Sequence, residues 1–279
     1  MCAPSTIRGY ASAISAFHPK VDGAHVFSHD LIRRYIKGSE NLRERSEVRP
    51  PPWDLPLVLN ALCEAPFEPL EEAGSRELSI KTALLLALVS GKRRGELCAL
   101  SVEKHSCIIT GDEAKAVLFV NPAFKPKVVT GAYVNTPLTI NAFHLQPKTQ
   151  EERRLHLLCP VRALAQYIRH TSQFRVSNQL FICYGPGNRG KALSDQRLSN
   201  WLTEGIRQAY LLAGKEPPSI IRAHSTRGVS TSTALFTGVP IESILTAASW
   251  ASPNAFVRYY LHDQSGAFAS SVLSQASRL

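Results

Sequence analysis

The amino-acid sequence predicts a mainly α-helical domain with a small β-sheet, an α+β fold, preceded by a short helical segment. Three observations carry that expectation. Apolar residues recur at helical spacing along most of the chain. A single pair of β-branched stretches flanks a tip containing Pro and Gly. With 44% hydrophobic and 19% charged residues, the 279-residue chain can bury a sizeable core, which excludes a disordered polyelectrolyte.

The elements follow in order. Residues 6–17 place Ile7, Tyr10, Ala11, Ile14 and Phe17 on one helical face, and a second helix is expected over 29–37. The charged stretch 41–52 ends in Pro50, Pro51 and Pro52, which lack amide donors and keep the chain extended. A domain boundary is therefore placed there, separating 1–48 from 49–279. Helices are expected over 55–65, with Pro56 in the first turn, and over 79–89, which breaks at Gly91 and restarts through Arg93, Glu96 and Leu97. Residues 116–121 and 134–140 read as a hairpin with a long basic loop over 122–131. Pro160 opens a helix over 161–170. Further helices are expected over 197–212, 224–237 and 240–248.

Lys and Arg number 32 against 22 Asp and Glu, a net charge of +10 that suits a polyanionic partner, because neutralising phosphates releases counterions. The six cysteines (Cys2, Cys63, Cys98, Cys107, Cys159 and Cys183) form no C-x-x-C pair, so neither a zinc site of paired cysteines nor a disulfide scaffold is expected. They read as reduced thiols of a soluble intracellular protein. The longest apolar run, 83–89, is far short of a membrane span.

Chemistry concentrates in three segments: Gly91-Lys92-Arg93-Arg94-Gly95-Glu96-Leu97, Arg222-Ala223-His224-Ser225-Thr226-Arg227-Gly228, and WASPNAFVRYY over 250–260. His224 and Arg227 stand three apart and share one face of a helix, where a guanidinium and an imidazole together suit a phosphate. Taken singly, each segment has an ordinary structural explanation. An Arg–Glu pair at i,i+3 is common on helix surfaces, and aromatic pairs usually pack.

Their order and spacing together resemble the tyrosine-recombinase family: Arg-x-x-Glu-Leu after an apolar helix, then H-x-x-R, then Trp followed by Tyr. The wording AHSTRGVSTSTALFTGVP, WASPNAFVRYY, STIRGYASAISAFHP and LCPVRAL resembles one branch, the recombinases of DIRS-like and Ngaro-like retrotransposons.

The resemblance implies roles residue by residue. Arg93, His224, Arg227 and Trp250 would bind the non-bridging oxygens of the scissile phosphate. The general acid would be a lysine on the hairpin tip, Lys127 with Lys125 as alternate. The nucleophile would be Tyr260, the tenth residue after Trp250, with Tyr259, the ninth, as alternate. Arg94, Lys125 and Arg222 would contact the DNA backbone. Duplex DNA would be the partner, with self-association on it as a dimer or tetramer, in the nucleus and without cofactor or metal. The family usually carries a full helical domain before the catalytic one. Here the chain before the linker has room for two helices, so a truncated one is expected. The alternative reading is a transposon-derived DNA-binding protein that no longer completes recombination.

Overall fold

The structure, a computed structural model, describes residues 4–42, 53–126, 136–250 and 253. The chain groups into two units, Met1–Pro50 and Pro51–Leu279.

In the first unit, α1 (Pro4–Phe17) and α2 (Asp30–Asn41) pack together across a short 3-10 turn at Val26–Ser28. Arg8 of α1 pairs with Glu40 of α2 at 2.6 Å, and Ser15 Oγ accepts from the Phe27 amide at 3.1 Å. Both helices start within two residues of their expected positions, and α2 runs four residues past its expected end at 37. The expected apolar face of α1 is nonetheless exposed at Tyr10, Ile14 and Phe17, the last at 91%. Two helices form a single layer, and a stripe on each can bury only where it meets the other.

The second unit is built on α4 (Ser75–Ser90), which packs against α7 (Pro160–Ser172), α8 (Asp195–Leu212) and α9 (Ser225–Phe236). Leu78, Ile80, Leu84, Leu85 and Leu86 of α4 are all buried, as expected of a helix covered on most sides. Helix α8 approaches it closely at Gly205, where an added Cβ would stand 2.5 Å from both Ile80 Cγ2 and Leu84 Cδ1. Lys81 also lies inside this helix, 0% exposed. Its ammonium donates to the Leu62 carbonyl at 2.7 Å and to the Glu68 carboxylate, which Arg162 of α7 grips with two nitrogens at 2.8 and 3.0 Å.

Helix α3 (Leu55–Ala61) is capped by Asp54, whose carboxylate accepts from the Leu57 amide at 2.9 Å, with Pro56 in the first turn. It ends earlier than the expected residue 65, because Pro66 biases its predecessor away from helical geometry and the chain turns through Cys63 and Glu64.

The sheet is antiparallel in the order β1 (Cys107–Ile109), β2 (Lys115–Leu118), β3 (Leu138–Asn141). Ala116 pairs with Ile140 and Leu118 with Leu138, placing four buried residues on one face. The expected strand 116–121 stops pairing with its hairpin partner at Leu118. Beyond it, Phe119, Val120 and Asn121 pair instead with the chain leaving α5 (Arg94–Cys98): Leu100 bridges Val120, and the Asn121 amide donates to Ala99 O at 2.7 Å. The hairpin is thereby tied beside α5.

Helix α6 (Gln150–Leu157) was not expected, although Thr149 and Glu152 form a capping box, Thr149 Oγ1 accepting from the Glu152 amide at 3.1 Å. Helix α10 (Ile241–Ala247) folds back on α9 around Ile244, Ala248 and Trp250. Cys63, Cys98, Cys107, Cys159 and Cys183 are free thiols. Among the described residues, no helix is long and apolar enough to cross a membrane.

Candidate active site

Three chain segments meet where α4 ends. Gly91 terminates that helix in the left-handed region at φ 55°, and a Cβ there would lie 3.3 Å from both Thr231 Cγ2 on α9 and Ala248 Cβ after α10. Glycine serves twice here, accepting the left-handed geometry and allowing the close approach. Lys92, the next residue, is thus delivered against the end of α10, and Arg93 and Arg94 lead on into α5.

Arg93 caps α5. The Glu96 carboxylate accepts from its backbone amide at 2.9 Å and from its guanidinium at 3.2 Å, so the expected i,i+3 pair also fixes the helix start. The guanidinium remains partly accessible. Arg94 is exposed and donates to Ser199 Oγ of α8 at 3.0 Å.

Arg227 lies in the first turn of α9, only 1% exposed. One nitrogen donates to Ala248 O at 2.6 Å, and the guanidinium carbon stands 4.2 Å from the Trp250 ring centroid. Trp250 itself is 2% exposed. Its position is set by how α10 ends. The Trp250 amide donates to Leu245 O at 2.9 Å and the Ser249 amide to Thr246 O at 3.1 Å, the double closure of a Schellman turn. Such a turn needs a left-handed residue, and here it is Ser249 at φ 52°, where glycine is usual.

His224 sits just before α9 as its N-cap residue and is exposed, as is Arg222. The one-turn spacing of His224 and Arg227 is kept, yet the first side chain is exposed and the second is enclosed. Ser225 anchors this corner, its hydroxyl donating to Arg222 O at 2.6 Å and accepting from the Trp53 indole at 3.0 Å.

Two residues, Lys92 and Ser249, were given no role from the sequence. Lys92 points its ammonium at Ser249 Oγ, 3.1 Å away. Burial pulls its pKa below the usual lysine value; Glu96 opposes that shift and Arg227 adds to it. Neither residue carries a motif. The only available signal was Lys92's place between a helix-ending glycine and Arg93.

Lys125 is exposed on the described part of the hairpin loop, and Phe124 lies near Gly95. Lys127, Tyr259, Tyr260 and the tail 261–279 lie outside the described residues. Among those described, no group of three or more His, Cys, Asp or Glu could hold a metal. Chemically, the junction gathers donors of fixed geometry around a cationic centre, which suits a tetrahedral oxyanion such as a phosphate.

No protein-family model matches the chain, and no curated protein does. Solved structures do. XerA recombinase matches at 17% identity with a TM-score of 0.51, over 99% of this chain and 83% of that one. XerH site-specific recombinase, in a post-cleavage complex with a palindromic difH substrate, matches at 14% identity and 0.54, over 97% and 64%. A lambda integrase dimer bound to a COC' core site matches at 14% and 0.50, over 94% and 72%. The expected mainly helical fold with a small antiparallel sheet is the tyrosine-recombinase fold, shared over nearly the whole chain.

Proposed function

We propose that this chain breaks and rejoins DNA strands through a 3′-phosphotyrosyl intermediate, as a recombinase or integrase of a mobile element. The observation that carries this reading is the junction itself. In a tyrosine-recombinase fold, the turn bearing Arg93 is pressed onto the helix bearing Arg227, and Trp250 closes over that arginine.

In this reading Arg93, Arg227, His224 and Trp250 surround the scissile phosphate and stabilise the charge that builds on its oxygens. The hydroxyl of Tyr260, or of Tyr259 as alternate, gives its proton to solvent water and bonds to phosphorus. The bond from phosphorus to the 5′ oxygen breaks, and that oxygen takes a proton from Lys127, with Lys125 as alternate. A second 5′ hydroxyl reverses the step on a new strand. The phosphotyrosyl link conserves the energy of the bond, so the chemistry calls for no nucleotide. Arg94, Lys125 and Arg222, all exposed, contact the DNA backbone.

Duplex DNA is the partner, and self-association on it is favoured by the likeness to a lambda integrase dimer on its core site. The wording of the motifs supports the DIRS-like and Ngaro-like branch and, with it, a nuclear location.

The test is covalent capture on a nicked suicide duplex, comparing wild type with Tyr260→Phe and Tyr259→Phe. Wild type and Tyr259→Phe form a protein–DNA adduct, and Tyr260→Phe does not. A folded, DNA-binding wild type that forms none returns the chain to the DNA-binding alternative.

A further inference from the structure

The strained residue of the site is Ser249. A non-glycine residue in the left-handed region carries a conformational cost and persists where its surroundings determine it. Those surroundings are specific here. The Ser249 hydroxyl faces the Lys92 ammonium at 3.1 Å, and Lys92 lies between Gly91, which touches Ala248 and Thr231, and Arg93, which Glu96 holds. On its other side Ser249 leads directly into Trp250, whose ring lies over Arg227, while Ala248 O takes a hydrogen bond from that same arginine. Serine thus supplies what glycine could not, an acceptor through which the chain leaving α4 can hold the end of α10.

We propose that Lys92 is a positioning residue, whose hydrogen bond to Ser249 locks the Trp250–Arg227 pair in register with Arg93. The claim rests on the recombinase reading for its catalytic consequence but not for the brace itself. Lys92 holds the end of α10 beside that pair through the Ser249 hydroxyl. Its partly buried ammonium, whose charge Glu96 favours and Arg227 disfavours, is oriented by the fold before any DNA arrives. A shift of the pair by a fraction of an ångström misaims a donor that must meet the developing charge, and misplacements near 1 Å can cost on the order of 100-fold in rate.

The experiment uses the full chain with Lys92→Met, Ser249→Ala, the double variant and Lys92→Arg. Two quantities are read. The first is the single-turnover rate of adduct formation at saturating suicide duplex, with DNA affinity measured against salt. The second is the ¹⁵N-indole resonance of Trp250 in the free protein. Lys92→Met and Ser249→Ala each slow cleavage by about 10- to 100-fold, with affinity and its salt slope unchanged. The double variant is no slower than either single one, because one interaction has been removed twice. Lys92→Arg recovers part of the rate. Both single variants move the Trp250 resonance alike.

Wild-type rates in Lys92→Met, or two single effects that multiply in the double variant, overturn the brace. So does a salt slope lowered in Lys92→Met alone, which makes Lys92 a phosphate contact. Should wild type form no adduct, the recombinase reading falls, and the Trp250 resonance still decides the brace: matched shifts uphold it and unmatched shifts overturn it.

Discussion

Two charged clusters flank helix α4, and they are built from similar residues to opposite ends. Midway along it, Lys81 and Arg162 converge on Glu68, the arginine through both nitrogens, and the Leu62 carbonyl completes the lysine's contacts. At its C-terminal end, Lys92, Arg93 and Arg227 gather with the carboxylate of Glu96 among them. The first cluster has its lysine fully buried, its arginine and carboxylate mostly so, and the carboxylate engaged on both oxygens. The second opens at Arg93 and His224 toward solvent and carries a local excess of positive charge. Enclosed ions that satisfy each other hold elements together. A cationic cluster with accessible donors is arranged for an anion that arrives from outside.

The largest expected effect falls on the first cluster. Removing one partner of a buried ion pair leaves the others charged and desolvated, at a cost of about 3–5 kcal/mol. Glu68→Gln should therefore lower the unfolding free energy by about that much in urea titration, while the fraction that remains folded still cleaves DNA at the wild-type rate. The pH dependence carries the same signature. Burial works to raise the Glu68 pKa, but hydrogen bonds from Arg162 and Lys81 outweigh it and hold the value below 4.5. A depressed carboxylate contributes stability that is present above its unfolded value and lost as the pH falls through the folded one. The acid limb of the stability profile should therefore flatten below about pH 4.5 in Glu68→Gln. A slowed reaction without lost stability would break the comparison.

The open cluster should respond in the other quantity. Arg93→Lys keeps the charge and loses the planar two-donor fork, so unfolding should change by less than about 1 kcal/mol. Adduct formation on the suicide duplex should fall by about 10²–10³-fold, the usual consequence of losing one preorganised donor. Equal losses of stability and rate would show that Arg93 is only the cap of α5.

The same contrast explains what the sequence disclosed. An apolar stretch located α4, Pro160 marked the start of α7, and helical periodicity located α8 and α10, because apolar side chains at that spacing have few other uses. Periodicity reported faces, not occupants: Tyr10, Ile14 and Phe17 of α1 share a face that the structure leaves exposed. Strand β1 is three residues long, too short to show alternation, and α6 is mostly polar, so only its capping box marked it. In the site, Arg93, His224, Arg227 and Trp250 stood out because their spacing matched a motif. Lys92 and Ser249 did not, since a contact between residues so distant in the chain leaves no periodic trace. Lys81 was hidden for the same reason, as the one charge in the apolar stretch 79–89.

Lys81 provides the smallest effect and the finest distinction between the clusters. Burial pulls its pKa below 10.5, with Glu68 resisting. Between the folded value and 10.5 the unfolded chain holds more protons than the folded one, so this group alone makes stability rise with pH. Other groups run against it. Burial pushes Cys98 up to about 12 and Cys107 up to about 11 from 9.0, and Tyr167 up to about 12 from 10.0. A raised acid contributes stability that is complete below its unfolded value and lost as the pH climbs through the folded one. Wild type should therefore weaken above about pH 9 despite Lys81. Lys81→Met removes one opposing contribution while Arg162 still pairs with Glu68, so the variant should lose about 1–3 kcal/mol at neutral pH, chiefly from the orphaned Leu62 carbonyl. Its deficit relative to wild type should widen as the pH approaches 10.5, which urea titrations at a series of pH values would measure. A deficit that instead shrinks there would mean the ammonium, and not its burial, is what the folded state favours, and the two clusters would differ less than their geometry indicates.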